Sequence, residues 1–203
     1  MQFLGFNTTR APFDDAALRQ AVSAAVDRQG LVDSCLLGHG AAAQFPVSPA
    51  SERYPAALET PYDPLGLQQL TAAEDPADGG EGTPANGSGN AGNTSSDKGL
   101  RDSYAGISVT LLVNEENSFK VAAAQEVAYS LSRCGLTVTV ETAPWETYLQ
   151  RLADGAFDLY YGECRLTADW DILELVGTGG ALNYGGFSDE ETDLLLAACR
   201  TAG

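Results

Sequence analysis

An α/β fold, with a mixed and mostly parallel sheet flanked by helices, is the architecture this sequence predicts. Two observations carry it. Between residues 107 and 163, strand-like and helix-like patterns alternate, and Gly135 and Gly155 stop the two helices. Strand–helix–strand–helix–strand in that order implies parallel pairing through right-handed crossovers. Hydrophobic residues also make up 44% of the 203 residues, enough to build a core beneath such a sheet.

The elements follow in order. Phe3 to Asn7 reads as a short strand. Pro12 and the Asp14/Asp15 pair mark a helix start, because an Asp side chain caps free N–H groups and suits the positive end of the dipole. Leu18, Ala21, Val22, Ala25 and Val26 then recur on one face at helical spacing. Gly30 is expected to interrupt that helix, "LVDSCLL" to add a short one, and Gly38 to end it. Residues 39–61, with four prolines, read as loop. "YDPLGLQQLTAAED" at 62–75 reads as a helix. Further on, "ISVTLLV" at 107–113 is a strand. A helix over 118–135 carries Val121, Ala124, Ala128 and Leu131. "LTVTVET" at 136–142 alternates as a strand, and "WETYLQRLADG" at 145–155 is a helix with Tyr148, Leu149 and Leu152 inward. "AFDLYYGE" at 156–163 is the third strand of the run. "SDEETDLLLAACR" closes the chain as a helix, with Ser188 and Glu191 spaced as a capping box.

Between these halves the composition changes. "PADGGEGTPANGSGNAGNTSS" holds no large apolar residue, so it cannot offset its ordering entropy by burial. Residues 1–203 are therefore read as one lobe with a flexible insertion at about 76–100. The other reading of that stretch is a linker between two domains.

Charge narrows the function. With 28 acidic against 11 basic residues, the net charge is −17. Such a surface repels a phosphate backbone and an anionic membrane, so nucleic acid is not an expected partner. No run has the length of a transmembrane helix, and no basic stretch followed by an apolar one marks a signal peptide at the N-terminus. Cys35, Cys134, Cys164 and Cys199 lie far apart and read as small buried hydrophobes. Disulfide pairing stays open in its three possible arrangements, and the spacing does not fit a zinc site.

No catalytic, metal or cofactor site is expected. The only histidine, His39, sits in a loop between glycines, and no Gly-x-Ser-x-Gly turn is present. "GTGG" at 177–180 lacks a following Gly-Lys-Ser/Thr and the spacing of a dinucleotide fingerprint. Asp169, Asp171 and Glu174 lack the glycine-containing loop of an EF-hand. Asp169 or Asp171 could equally cap "DILELV".

In a parallel α/β sheet, ligands bind beyond the carboxyl ends of the strands. Three segments fall there: "NEENS" at 114–118, "APW" at 143–145 and "ECRLTADWD" at 163–171. The third combines Arg165, Asp169, Asp171 and Trp170.

The opening segment then becomes informative. "GFNTTRAPFDDAALRQAVSAAVDRQGLV…GHGA" resembles a motif of the extracytoplasmic solute-binding proteins of the peptide/nickel ABC transporter family. Asn7, Pro12, Phe13, Asp14, Asp15, Arg19, Gln20, Ala21, Ala25, Asp27, Arg28 and Gly38 fit it in order. "YDPLGLQQL", the segment from "GISVTLLVN" to "AFDLYYGE", and "NYGGFSDEETDLLLAA" are similar to later parts of the same lobe. The resemblance implies a type II periplasmic-binding-protein-like lobe, the second of two, with the first lobe missing. It further implies an extracytoplasmic protein, often a lipoprotein, that binds a peptide or other small solute and delivers it to an ABC permease. Aligning "TADW" with the family's Ala-Asp-aromatic pattern puts Asp169 on a peptide α-ammonium group. Arg165 is then expected to make polar contacts, and Tyr161, Trp145 and Trp170 to line the cleft. One departure stands out: Leu166 and Thr167 occupy the place where members often carry Trp, and Trp170 follows instead. The other reading is a ligand-sensing or interaction domain of a larger receptor without a transport role.

Overall fold

The computed structural model describes residues 1–72 and 104–201. The insertion expected at about 76–100, and the end of the helix expected over 62–75, lie outside the described residues. The strands are β1 (Gln2–Phe6), β2 (Ser108–Asn114), β3 (Thr137–Ala143) and β4 (Leu159–Glu163). The helices are α1 (Ala16–Ala24), α2 (Arg28–Cys35), α3 (Pro64–Thr71), α4 (Ser118–Arg133), α5 (Trp145–Ala153), α6 (Leu173–Val176) and α7 (Glu190–Thr201). One 3-10 turn, Ala56–Leu58, lies in the proline-rich loop.

The sheet order is β1–β4–β2–β3. β2 runs parallel to β3, with Ser108 opposite Thr137 and Asn114 opposite Ala143. It also runs parallel to β4, with Leu111 opposite Leu159. β1 joins the outer side of β4 antiparallel, with Gln2 opposite Glu163 and Phe6 opposite Leu159. The sheet is thus mixed and mostly parallel, because α4 and α5 carry the chain back between its parallel members.

Both faces of the sheet are covered. Val109, Leu111, Val113, Leu159 and Tyr161 point to one side, into a core with Leu18 and Val22 of α1, Leu67 of α3, and Ala124, Val127 and Leu131 of α4. Leu112 and Tyr160 point to the other, against Tyr148 and Leu152 of α5 and Phe157. Two-sided burial explains why "VTLLV" shows a near-continuous apolar run instead of alternation. Side chains such as Leu111, Leu112 and Leu159 are fully buried, and each contributes on the order of 2 kcal/mol by leaving water.

Local chemistry sets the helix ends. Asp15 caps α1, accepting from the Ala17 N–H at 2.7 Å. The break between α1 and α2 falls at Ala25–Asp27 and not at Gly30. Asp27 starts a new helix by accepting from the Gly30 N–H at 2.8 Å, so Gly30 lies inside α2. A Cβ at Gly30 would come within 2.6 Å of that carboxylate, which accounts for glycine there. Asp63 caps α3 in the same way, through Gly66 at 3.0 Å. The capping box expected at Ser188 does not form. Asp189 takes the role, accepting from the Thr192 N–H and hydroxyl at 2.8 and 2.7 Å, while Ser188 bonds Thr178. Of the cysteines expected to be buried, only Cys134 is. Cys35 and Cys164 are half-buried and Cys199 is exposed, all with free thiols.

Two polar side chains, buried Asn7 and half-buried Asp158, hold distant segments. Asn7, 4% exposed, donates to the Gly155 and Phe157 carbonyls, each at 3.1 Å. It accepts from the Thr9 N–H at 3.2 Å and the Thr9 hydroxyl at 2.7 Å. Asp158 accepts from the Thr110 N–H and hydroxyl at 2.8 and 2.9 Å and pairs with Arg10 at 3.0 Å. Both lie at the end of the sheet opposite the carboxyl termini of β2, β3 and β4.

Candidate functional site

The carboxyl ends of β2, β3 and β4 gather the three segments singled out above, and β1 begins beside them. The Met1 backbone nitrogen donates to the Cys164 carbonyl at 2.7 Å. Lys120, in the first turn of α4, pairs with Glu163 at the end of β4 at 2.7 Å. Asn117 caps α4 by accepting from the Lys120 N–H at 3.1 Å. This ties the β2 and β4 ends together through a largely buried ammonium.

The β2 and β3 ends are joined by Glu116. Its carboxylate accepts from the Asn114 side-chain amide and, at 3.0 Å, from the Trp145 N–H. These bonds, that of Trp145 foremost, hold its carboxyl below the usual carboxylate range. Trp145, 50% exposed, stacks on Tyr148 at a centroid distance of 5.7 Å and 19° between planes. The Tyr148 hydroxyl donates to the Tyr161 carbonyl at 2.9 Å, reaching into β4. Phe119, at the start of α4, is another exposed aromatic residue of this rim.

Past β4, Arg165 and Asp169 are exposed and Trp170 is half-buried. The Thr167 hydroxyl beside Asp169 holds its carboxyl below the usual range, so it is ionised at neutral pH. Trp170 has a φ of +60°, in the left-handed region that large side chains seldom occupy. Asp171 accepts from the Leu173 N–H at 2.9 Å at the start of α6 and pairs with Arg200 of α7 at 3.2 Å. The capping task therefore falls to Asp171, and the Asp169 carboxylate stays on the surface.

Tyr161 sits elsewhere than its four companions. It is 8% exposed and packed in the core under α1 and α4, with its hydroxyl donating to the Gln2 side chain at 2.9 Å. Burial pushes that hydroxyl up to about 12. The edge thus leaves Arg165 and Asp169 exposed and Trp145 and Trp170 partly so, while Tyr161 belongs to the core on the α1 and α4 side of the sheet. Glu116 and Glu163 lie in the segments singled out from the sequence without being named individually, and Phe119 and Lys120 fall just outside them.

Two cavities lie away from the edge. One of about 640 Å³, lined by Pro12, Asp14, Asp15, Tyr104 and Ile107, opens near the start of β2. The other, about 280 Å³, lies between α2 and α4 beside Tyr62 and Tyr129. Among the described residues no group of His, Cys, Asp and Glu is arranged to hold a metal, and no helix is long and apolar enough to cross a membrane.

This architecture defines the class: an α/β lobe of mixed sheet with polar and aromatic loops gathered at one end. Residues 1–171 match the family described as bacterial extracellular solute-binding proteins, family 5 (middle). The chain belongs to that family. It is 24% identical over 202 residues to the oligopeptide-binding protein AppA of Bacillus subtilis, covering 96% of this chain and 34% of that protein. The structure of Bacillus subtilis AppA in complex with a nonapeptide superposes with a TM-score of 0.71 at 22% identity, covering 97% of this chain and 38% of that one. NikZ of Campylobacter jejuni in complex with Ni(L-His) gives a TM-score of 0.66 at 18% identity, covering 97% and 38%. The chain spans about a third of the length of these relatives.

Proposed function

We propose that this chain is the ligand-capturing lobe of an ABC-transporter substrate-binding protein, most suited to oligopeptides. The observation that carries this reading is the edge itself. An ionised, exposed Asp169, an exposed Arg165 and Trp170 follow β4, and a half-exposed Trp145 follows β3, all past the carboxyl ends of parallel strands, where α/β lobes take ligands. Relatives named for oligopeptide and di/tripeptide binding support the choice of ligand class. Asp169 pairs with the peptide α-ammonium, and Arg165 makes a second polar contact. Trp145 and Trp170 form the walls, and Tyr161 supports the floor through Gln2. The first lobe closes over the ligand by a hinge motion, and the loaded protein then meets a membrane permease. The protein works outside the cytoplasm, as a periplasmic or lipid-anchored receptor.

The test is Asp169→Ala in the full-length protein, assayed by calorimetry with one peptide in free-amine and N-acetylated forms. Loss of a charge-assisted bond predicts about tenfold weaker binding of the free amine. The acetylated peptide, which has no ammonium to pair, keeps its affinity. Equal affinity of the variant and wild type for the free amine would remove Asp169 from the site. The 203-residue chain alone is expected to bind the same peptide weakly, because half of the contacts come from the first lobe. Micromolar binding by this chain alone would contradict a two-lobed site.

A further inference from the structure

We propose that Glu116 is a positioning residue of the ligand edge: its carboxylate clamps the end of β2 to the start of α5 and so holds the Trp145 indole in one orientation against Tyr148. The inference rests on the ligand-edge reading above for its functional consequence, and on geometry alone for the clamp.

The clamp has a local cause. A helix begins with N–H groups that have no partner inside the helix, and a capping side chain normally satisfies one of them. α5 begins after Pro144, which offers no side-chain acceptor. The Trp145 N–H finds its acceptor in the turn that follows β2, in the Glu116 carboxylate at 3.0 Å. A negative charge there also suits the positive end of the helix dipole. Glu116 is not needed to cap its own helix, because Asn117 does that. An exposed glutamate after a strand is ordinarily a free, solvated side chain. This one has both oxygens engaged, one by Trp145 and the other by Asn114, whose side chain is itself 6% exposed.

The consequence falls on the indole. Trp145 leans on Tyr148, and Tyr148 is anchored to the β4 backbone through its hydroxyl. With its backbone fixed by Glu116 and its ring backed by Tyr148, the half-exposed indole is held before any ligand arrives. A contact surface already ordered loses less entropy on binding. The lowered carboxyl of Glu116 fits this arrangement, since the ionised form is the one the clamp uses.

The chain has two tryptophans, so Trp170→Phe leaves Trp145 as the sole indole. Time-resolved anisotropy and acrylamide quenching then report on it without any ligand. Glu116→Ala is expected to add a fast picosecond-to-nanosecond decay and raise quenching, with unchanged far-UV circular dichroism. Glu116→Gln keeps an acceptor for the Trp145 N–H and restores most of the slow decay. Glu116→Asp, one methylene shorter, does not. Unchanged anisotropy in Glu116→Ala overturns the proposal.

The second arm uses the full-length protein, with tryptophan positions otherwise native, and a pool of free-amine nonapeptides as the probe. Glu116→Ala is expected to weaken binding about fivefold, and to add nothing once Trp145 is already Ala, as residues acting through one group are not additive. An equal loss in both backgrounds overturns the proposal. If the wild type does not bind the pool, the peptide reading of the preceding subsection fails, and the anisotropy arm still decides the role of Glu116.

Discussion

Asn7→Ala removes a side chain that bonds across the sheet end opposite the ligand edge. Four hydrogen bonds are lost: two donated to the Gly155 and Phe157 carbonyls, and two accepted from Thr9. They do not weigh equally. The Phe157 carbonyl keeps a bond from Arg10 at 2.8 Å, so it is not orphaned. The Gly155 carbonyl and the Thr9 N–H lose their side-chain partner. Taking about 1 kcal/mol net for each ordinary bond, and less for the two to exposed Thr9, the loss comes to about 3 kcal/mol. For a domain of this size, that is a fall in Tm of roughly 6–12 °C. Urea unfolding followed by far-UV circular dichroism measures it directly, as a lower midpoint at an unchanged slope. Asn7→Asp sharpens the test. It keeps the acceptors for Thr9 but turns a carboxylate toward two carbonyl oxygens, so it is expected to cost at least as much as Ala. A loss under about 1 kcal/mol for Ala, or a milder effect for Asp, would refute the claim that these bonds anchor β1 to the start of β4.

Gly135 has a φ of +92°, and a Cβ there would stand 2.3 Å from the Thr71 hydroxyl oxygen, so Gly135→Ala is expected to cost about 1–3 kcal/mol in the same urea assay. Stability at the pH extremes is tied to the Tyr104–Asp15 bond of 2.5 Å. Burial and the Asp15 carboxylate push Tyr104 from 10.0 up to about 12, so its contribution is complete below the ordinary value and is lost as pH rises through about 12. Asp15 is lowered from 3.8, mainly by the Tyr104 hydroxyl, so its contribution is present above that value and is lost as pH falls through the folded one. Tyr104→Phe should flatten both limbs of a stability–pH profile. Maleimide labelling read by intact-mass spectrometry should modify Cys199 first and Cys35 and Cys164 more slowly, with buried Cys134 protected until unfolding.

The fold was legible where burial imposes a period. α4, β3 and α5 each carry one, β2 shows instead the continuous apolar run of two-sided burial, and the parallel pairing follows from their alternation. That three segments would share the carboxyl end of the sheet was also legible, because a parallel sheet fixes which loops lie together. What stayed hidden depends on contacts between residues far apart in sequence. Asn7 reaches Phe157, and Glu116 reaches Trp145 across a helix and a strand. Nothing in "NEENS" says that its second glutamate meets the first N–H of α5, beyond the next helix and strand. The α1–α2 break was displaced for a different reason: glycine was taken as a helix breaker, whereas Gly30 makes room for the Asp27 cap. At Ser188 the capping-box spacing was present, but the adjacent Asp189 offered the stronger, charged acceptor.

The antiparallel pairing of β1 with β4 has a practical reach. Gln2 lies opposite Glu163, so β1 enters the sheet at the very end where β4 leaves it for the Arg165–Trp170 loop. A polarity-sensitive fluorophore placed at position 1 of this lobe would therefore sit beside that loop and report on its occupancy.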